Sequence, residues 1–128
     1  MLAGCVSLPD LNRSSLAAVN DLVPSVFGNW NWQLLIRDSS PALLSEESPA
    51  QVKRLFVYFR EHLGRLKRYE GARGKVSVSL TTWAGRTVYA DYRAGIEYTN
   101  GPATLLIELV PAESGWKINA FRIYSSTF

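Results

Sequence analysis

The chain has little of what disulfides, metal sites and membrane spans require: one cysteine, one histidine and no long apolar run in 128 residues. A single cysteine leaves no partner for an internal disulfide bond. One cysteine and one histidine are too few for a zinc site built from the usual nitrogen and sulfur ligands. No apolar run approaches the about 18 residues that a transmembrane helix needs. We therefore expect no metal, no other cofactor and no membrane-spanning segment.

What is present is the composition of an ordinary globular protein. The chain is 47% hydrophobic and 20% charged, with a net charge of +3. Its length predicts a single domain with a proper core. Four Trp, six Tyr and five Phe can fill that core or line a pocket. We assign residues 1–11 to an N-terminal tether and residues 12–128 to one domain.

The first residues carry a localisation signal. Leu2-Ala3-Gly4-Cys5 resembles the lipobox of bacterial lipoproteins, in which the cysteine becomes the lipidated N-terminus. It predicts lipidation at Cys5 and anchoring to a membrane of the bacterial cell envelope. A secretory signal also needs an apolar stretch of about 7–15 residues before the cleavage site, and that stretch does not precede Cys5 here. A cytoplasmic protein with one free thiol is therefore the alternative.

The first half of the chain has helical periodicity. From residue 12 onward, apolar residues recur at three- and four-residue spacing, which predicts a helix that Pro24 kinks or ends early. Asn31 is placed to cap a second, short helix. Ser40-Pro41 is placed to begin a third.

The clearest helix begins at Ser48, where Pro49 and Gln51 complete a capping-box pattern. Its apolar stripe consists of Val52, Leu55, Phe56, Phe59, Leu63 and Leu66. Six basic residues fall mostly on the opposite side and predict a basic helix face: Lys53, Arg54, Arg60, Arg65, Lys67 and Arg68. This face is either a plain solvated surface or a second membrane-binding signal beside a lipid anchor. The modest net charge and the lack of a recognised motif argue against nucleic acid as a partner.

The second half of the chain has strand periodicity. The period changes between Gly71 and Gly74, and four strands are predicted at residues 76–81, 86–98, 103–110 and 116–125. Gly95 predicts a bend or bulge, and Asn100-Gly101 predicts a hairpin turn. The apolar phase of the last strand slips by one residue, which predicts a β-bulge at Asn119-Ala120. Helices followed by a four-stranded meander predict an α+β fold, with the helices on one face of an antiparallel sheet.

Three segments resemble the NTF2-like (cystatin-like α+β) superfamily. They are NWNWQLL with SPALL at residues 29–35 and 40–44, LGRLK at 63–67, and IEYTNGPA with GWKINAFRI at 96–103 and 115–123. The resemblance is closest to bacterial lipoprotein-type members of unknown function. It implies a curved four-stranded sheet with a cavity between sheet and helices. Members include isomerases, dehydratases, transport factors and non-catalytic lipoproteins, so the fold does not fix the activity.

Five aromatic residues are candidates for the lining of such a cavity: Trp30, Trp32, Phe59, Tyr92 and Trp116. Aromatic side chains dominate the linings of ligand pockets. The same rings can equally serve as core packing. Trp83, at the end of a predicted hairpin, is the tryptophan best placed for an exposed interface.

Asp91 and His62 are weak candidates for a catalytic base, because enzymes of the superfamily use an aspartate with tyrosine or histidine in the sheet cavity. Strand alternation places Asp91 on the polar face with Arg93, where a surface charge pair is the competing interpretation. His62 is equally consistent with a partly buried helix histidine that has no chemistry. Three functions stay open: a non-catalytic envelope lipoprotein domain that binds a small apolar ligand or a protein partner, a small isomerase- or dehydratase-type enzyme, and a structural homodimer.

Overall fold

The computed structural model describes residues 7–82 and 85–128 and places all helices before a four-stranded sheet. The helices are α1 (Leu8–Leu22), which continues as a π-helical turn (Val23–Phe27), α2 (Trp32–Arg37), α3 (Pro41–Glu46) and α4 (Pro49–Leu63). The strands are β1 (Leu66–Thr81), β2 (Gly85–Tyr98), β3 (Gly101–Ala112) and β4 (Gly115–Tyr124). They form an antiparallel meander in the order β1-β2-β3-β4. The predicted α+β fold is confirmed.

The helices begin at side-chain caps. Asn31, Ser40 and Ser48 cap α2, α3 and α4 as predicted, and each accepts a hydrogen bond from the backbone N–H three residues ahead. Gln51 completes the capping box of α4 by accepting the N–H of Ser48 at 2.8 Å. These caps satisfy backbone donors that would otherwise lack partners at the helix ends.

α1 begins earlier than predicted, at Leu8, because Ser7 caps it by accepting the N–H of Asp10 at 3.3 Å. Residues 8–11, which we assigned to the N-terminal tether, are therefore helical and form the first turn of α1. Pro24 does interrupt the regular α-helix, as predicted, and the chain continues through it as the π-helical turn. The predicted lipidation site Cys5 and the predicted interface residue Trp83 lie outside the described residues.

α4 ends at Leu63, before the end of the predicted stripe, because Gly64 turns the chain away. Gly64 has a φ of 82°, and a Cβ atom at this position would collide with Oγ1 of Thr99. Leu66 then donates its N–H to the carbonyl of Gly28 at 3.0 Å and is the first residue of β1. The spacing of apolar residues did not show whether Leu66 belongs to the helix or to the strand, because Leu66 follows Leu63 at a spacing that also suits a helix.

β1 is longer than predicted and includes the segment from Gly71 to Gly74 that we expected to be a connection. Its pairing with β2 shifts beside Gly71, which has a φ of 91°. This irregularity lies opposite Gly95, whose own pairing with β3 is continuous. The bulge predicted at Gly95 is therefore located on the neighbouring strand.

The two later irregularities follow the prediction more closely. The hairpin between β2 and β3 is present, with Thr99 and Asn100 as its loop and Tyr98 paired with Gly101. The register between β3 and β4 shifts at Asn119, which confirms the predicted bulge.

The core lies between the helices and the face of the sheet that they cover, which we call the inner face. Alternate strand residues supply the sheet side of this core: Val76, Ala90, Tyr92, Ala94, Ile96, Tyr98, Ala103, Leu105, Ile107, Leu109 and Ile118. The helical side includes Val19, Val26, Phe27, Leu35, Val52, Phe56, Phe59 and Leu63. No helix packs on the opposite, outer face of the described sheet, where side chains such as those of Arg93 and Asp91 are exposed.

Candidate functional site

A cleft of about 450 Å³ lies beside β4, between that strand and the helices α3 and α4. We call it the β4 cleft. It is lined by Leu43, Glu46, Glu47, Val52, Leu55 and Phe59 from the helical side and by residues 119–123 of β4. Glu47 is the C-cap residue of α3 and Ser48 the N-cap residue of α4, so the two helices follow each other directly in the chain, and residues of both line the cleft.

The floor of the β4 cleft is apolar and its rim is charged. Leu43, Val52 and Phe59 are buried, whereas Leu55 keeps 38% of its surface exposed. The rim carries the carboxylates of Glu46 and Glu47. Within residues 7–82 and 85–128, neither of these carboxylates takes part in an ion pair. Arg122 of β4 also lines the cleft, so the charged side chains of the lining are two carboxylates and one guanidinium, and their net charge is negative. The site therefore suits an apolar group that is accompanied by a positive charge.

β4 contributes its edge to the cleft rather than one face. Five consecutive residues, 119–123, line the cavity, although successive side chains of a strand point to opposite faces. The first part of this edge is occupied by the chain itself: Ile118 donates its N–H to the carbonyl of Asp38 at 2.7 Å and accepts from the N–H of Ser40 at 2.8 Å. The cleft opens immediately beyond this pairing.

Trp30 is placed in the core and not in an open pocket. It is 4% exposed, its ring stacks on Tyr98 at a centroid distance of 5.0 Å, and its indole N–H donates to the carbonyl of Gly64 at 2.6 Å. Phe59 lies 5.3 Å from it between ring centroids. Phe59 therefore connects this aromatic cluster to the β4 cleft, and it is the one member of the predicted pocket that lines the cleft.

The other three predicted pocket residues lie elsewhere. The Tyr92 hydroxyl lies 2.7 Å from Oγ of Ser15 and donates to the carbonyl of Asn12 at 3.1 Å, and the Trp116 indole N–H donates to Oγ of Ser14 at 3.1 Å. Both therefore fasten α1 to the sheet. Trp32 is half-buried, with Nζ of Lys53 5.6 Å from its ring centroid.

Asp91 and His62 lie on opposite sides of the sheet. His62 is on α4, with its ring stacked on Tyr58 at 4.0 Å and Nδ1 2.9 Å from the Tyr58 carbonyl oxygen. Asp91 is exposed on the outer face, as strand alternation predicts. Burial, and then the neighbouring carboxylate of Glu108, raise the pKa of Asp91 above its ordinary value. The two candidate bases therefore do not act on one bound molecule.

The outer face carries two neighbouring rows of charge across the strands. One row runs Arg73, Arg93, Leu106 and Arg122, and the next runs Lys75, Asp91, Glu108 and Ala120. We call these the arginine row and the acidic row. A shallow depression of about 430 Å³ lies over them. In the described part of the chain, none of the three arginines forms an ion pair.

The predicted basic helix face is divided by the fold. Lys53, Arg54 and Arg60 are exposed on α4. Arg65 follows the helix, and Lys67 and Arg68 belong to β1, so the prediction of one continuous helical face was wrong. Arg68 is neutralised by ion pairs of 3.0 Å with Glu70 and 2.9 Å with Glu97. Within the described ranges, no helix is long and apolar enough to cross a membrane.

Sequence reasoning missed most residues of the β4 cleft. Leu43 and Glu46 belong to the short helix α3 and Glu47 is its C-cap residue, and the position of this helix over β4 follows from the tertiary fold. Two signals pointed toward the site: the last strand of an open meander is an edge strand, and the slipped apolar phase marked the bulge of this strand at Asn119. No protein-family model matches this chain, and no curated protein matches it.

Proposed function

We propose that this chain is a non-catalytic binding domain of the NTF2-like superfamily, which takes an apolar group of a ligand or protein partner into the β4 cleft. The single observation that carries the proposal is the cleft itself, a volume of about 450 Å³ with the apolar floor of Leu43, Val52 and Phe59. Pockets of several hundred Å³ with an apolar lining and few polar groups are typical of binding sites for small molecules. Neither of the two candidate bases, Asp91 and His62, is in the lining of the β4 cleft, which favours binding over acid–base catalysis there.

The proposal includes a location. Lipidation at Cys5, with the domain held at a bacterial envelope membrane, rests on the Leu2-Ala3-Gly4-Cys5 sequence alone. Radiolabelled palmitate tests it, because labelling of the gene product expressed in a bacterium has to disappear in Cys5→Ser. Labelling that persists in this variant contradicts an anchor at Cys5, and a wild type that takes up no label favours the cytoplasmic alternative.

The β4 cleft is tested with Nile red, a neutral dye that fluoresces in apolar surroundings. We expect saturable binding to the wild type, and binding at least about tenfold weaker, or about 1.4 kcal/mol, in Leu55→Glu. The physical reason is that a carboxylate at Leu55 places an uncompensated charge against the apolar floor.

Val57→Glu is the matched control for this experiment. Val57 is also an apolar residue on α4, with 47% of its surface exposed, but it lies outside the lining of the cleft. We expect it to bind Nile red like the wild type. Equal binding by Leu55→Glu and the wild type would falsify the cleft as the binding site.

A second function, a structural homodimer, is supported by the outer face. A two-fold axis that is parallel to the sheet, running along the two rows and midway between them, brings the outer faces of two copies together and places the arginine row of one copy over the acidic row of the other. Each copy also has like charges side by side, Arg73 opposite Arg93 and Asp91 opposite Glu108. Such pairs are unfavourable in the isolated sheet, and opposite charges on a partner would offset them.

A further inference from the structure

The edge of β4 leaves main-chain groups available along the β4 cleft. In an antiparallel ladder, the N–H and C=O groups of successive residues alternate between the two edges of a strand. Ile118 directs both of its groups away from β3, toward residues 38–40. With the bulge at Asn119 counted as one extra residue, Phe121 and Ile123 direct theirs to the same side.

These outward groups have no partner in the described part of the chain. No backbone or side-chain hydrogen bond from residues 7–82 or 85–128 reaches the N–H or C=O of Phe121 or Ile123 at this edge. Both residues line the β4 cleft. The cleft therefore combines an apolar floor with a row of directional hydrogen-bonding groups, which a purely apolar ligand cannot use.

The opposite edge of the sheet, β1, is covered at one point and, in the described part of the chain, forms no cleft with the helices beyond it. The N–H of Val76 donates to Oδ1 of Asn12 at 2.7 Å, so α1 covers the edge there, whereas Val78 and Leu80 farther along β1 keep 43% and 77% of their surface exposed. At β4, residues 38–40 cover the edge only as far as Ile118, with which they pair. Natural proteins usually block free strand edges, because these edges recruit other strands. An edge left open inside a cleft is accordingly a site for strand addition.

We propose that an extended segment of a protein partner binds in the β4 cleft as a fifth strand of the sheet, beside residues 119–123. This inference rests on the proposed function of the cleft and specifies its occupant. Five residues of strand extend for about 17 Å. Main-chain hydrogen bonds to Phe121 and Ile123 supply the pairing, and alternate apolar side chains of the segment contact Leu55 and Phe59.

The charge of the rim specifies the segment further. Glu46 and Glu47 line the cleft without an ion-pair partner in the described chain. A lysine or arginine next to the apolar residues of the segment complements these carboxylates. The expected partner sequence therefore alternates apolar and small polar residues and carries a basic residue at one end.

The probe is an acetylated and amidated heptapeptide with lysine at both ends and the core Val-Thr-Val-Thr-Val. Lysine at both ends allows either strand direction to bring a positive charge to Glu46 and Glu47. The experiment uses the full chain, with the peptide bound to about 90% of the protein molecules. We expect amide hydrogen exchange of Phe121 and Ile123 to slow about tenfold, since these amides exchange only in the protein molecules that have no peptide bound. Arg122, whose N–H faces β3, should change little. Peptide binding without this alternating protection overturns the proposal.

Two N-methylated peptides are the matched controls. Alternate residues of an added strand face β4, so methylation of the valine nitrogens and methylation of the threonine nitrogens remove donors from opposite edges of the peptide. We expect one of the two peptides to lose binding by at least about tenfold and the other to bind like the parent. Equal binding by all three peptides means that side chains alone hold them, and it overturns strand addition.

Charge reversal tests the proposed attraction between a basic residue of the bound segment and the carboxylates of Glu46 and Glu47. Glu46→Lys combined with Glu47→Lys should weaken the peptide by at least about tenfold at low salt, because two attractions become repulsions. Glu61→Lys, an exposed carboxylate of α4 outside the cleft lining, is the control and should leave the affinity unchanged. Equal weakening by the control variant contradicts a local role for Glu46 and Glu47.

The outcomes separate this inference from the proposed function. Nile red binding without peptide binding keeps the cleft as an apolar site and overturns the fifth strand. Failure of both probes overturns both proposals. Amides of Phe121 and Ile123 that are already protected in the free protein, and lose protection on dilution, show that a second copy of this chain occupies the edge, which also overturns the proposed partner.

Discussion

The inner and outer faces of the sheet differ in what their side chains contact. The inner face is filled by side chains of this chain: Tyr98 is 1% exposed, stacks on Trp30 and donates its hydroxyl to the carbonyl of Phe27 at 2.9 Å. The outer face has the arginine row and the acidic row, and it is covered by no described helix. The inner face therefore provides the stability of the fold, and the described outer face keeps exposed charged side chains such as Arg93 and Asp91.

Because the inner face is filled, a binding site is not expected in the centre of this fold, between sheet and helices. The aromatic residues that are suited to a central pocket, such as Trp30, instead fill the space between sheet and helices. Buried aromatic contacts of this kind stabilise a core beyond the area that they bury. The cavity that results is displaced to the border of the sheet, where α3 and α4 do not close over β4.

The largest expected effect comes from breaking the inner face. Tyr98→Ala removes a buried ring and should lower the free energy of unfolding by about 3–5 kcal/mol. Tyr98→Phe keeps the ring but leaves the buried carbonyl of Phe27 without its donor, and it should cost about 1–3 kcal/mol. Urea denaturation measures both values, and the milder variant keeps the test informative if the first one fails to fold.

Leu106→Ala is the control on the outer face. Leu106 lies between Arg93 and Arg122 in the arginine row and is half-buried. We expect a loss of about 1 kcal/mol, the size typical of a substitution outside the core. A loss as large as that of Tyr98→Ala would mean that the outer face also carries the stability of the fold, and the comparison of the two faces would fail.

Much of the fold was predictable because local chemistry determined it. The caps at Asn31, Ser40 and Ser48 and the bulge at Asn119 each depend on residues close together in sequence, and each is confirmed. The start of β1 was missed because Leu66 continues the helical spacing of α4. What ends the helix is Gly64, whose left-handed conformation is held against Thr99 from the β2–β3 loop.

The site was less predictable because it is assembled from distant segments. The β4 cleft joins α3 and α4 to the last strand, and no local pattern gives the width of the gap between them. Exposure of Leu55 was also unpredictable, because it belongs to the same apolar stripe as the buried Phe56 and Phe59. The strand alternation did place Asp91 correctly on the outer face, since that property is local.

The next expected effect concerns the outer face as a dimer interface. If two copies pair through the arginine and acidic rows, Arg93→Glu should weaken the dimer by at least about tenfold, because it opposes like charges across the interface. The charge swap Arg93→Asp with Asp91→Arg should restore association, since both copies then exchange signs together. Analytical ultracentrifugation at low and moderate salt measures the dissociation constant.

Arg54→Glu is the control for this prediction, because it reverses an exposed arginine on α4, on the other side of the sheet. It should leave the mass in solution unchanged. A wild type that is monomeric at micromolar concentration removes the homodimer. A dimer that tolerates Arg93→Glu places the interface elsewhere and leaves the outer face open for another partner.

The smallest expected effect is a pH dependence that originates on the outer face. Burial, and then the nearby Glu108, raise the folded-state pKa of Asp91 above its ordinary value of 3.8. The folded state therefore binds the proton more tightly than the unfolded state does, and stability falls as pH rises from 3.8 through the raised pKa. Asp91→Asn cannot ionise, so relative to the wild type it should be more stable at neutral pH, with the difference shrinking toward acid pH. Urea denaturation of the wild type and of Asp91→Asn in the same buffers between acid and neutral pH measures this difference. A difference between Asp91→Asn and wild type that is constant across pH would mean that the carboxylate is solvated like any surface acid, and that the outer face holds no unrelieved charge for a partner to neutralise.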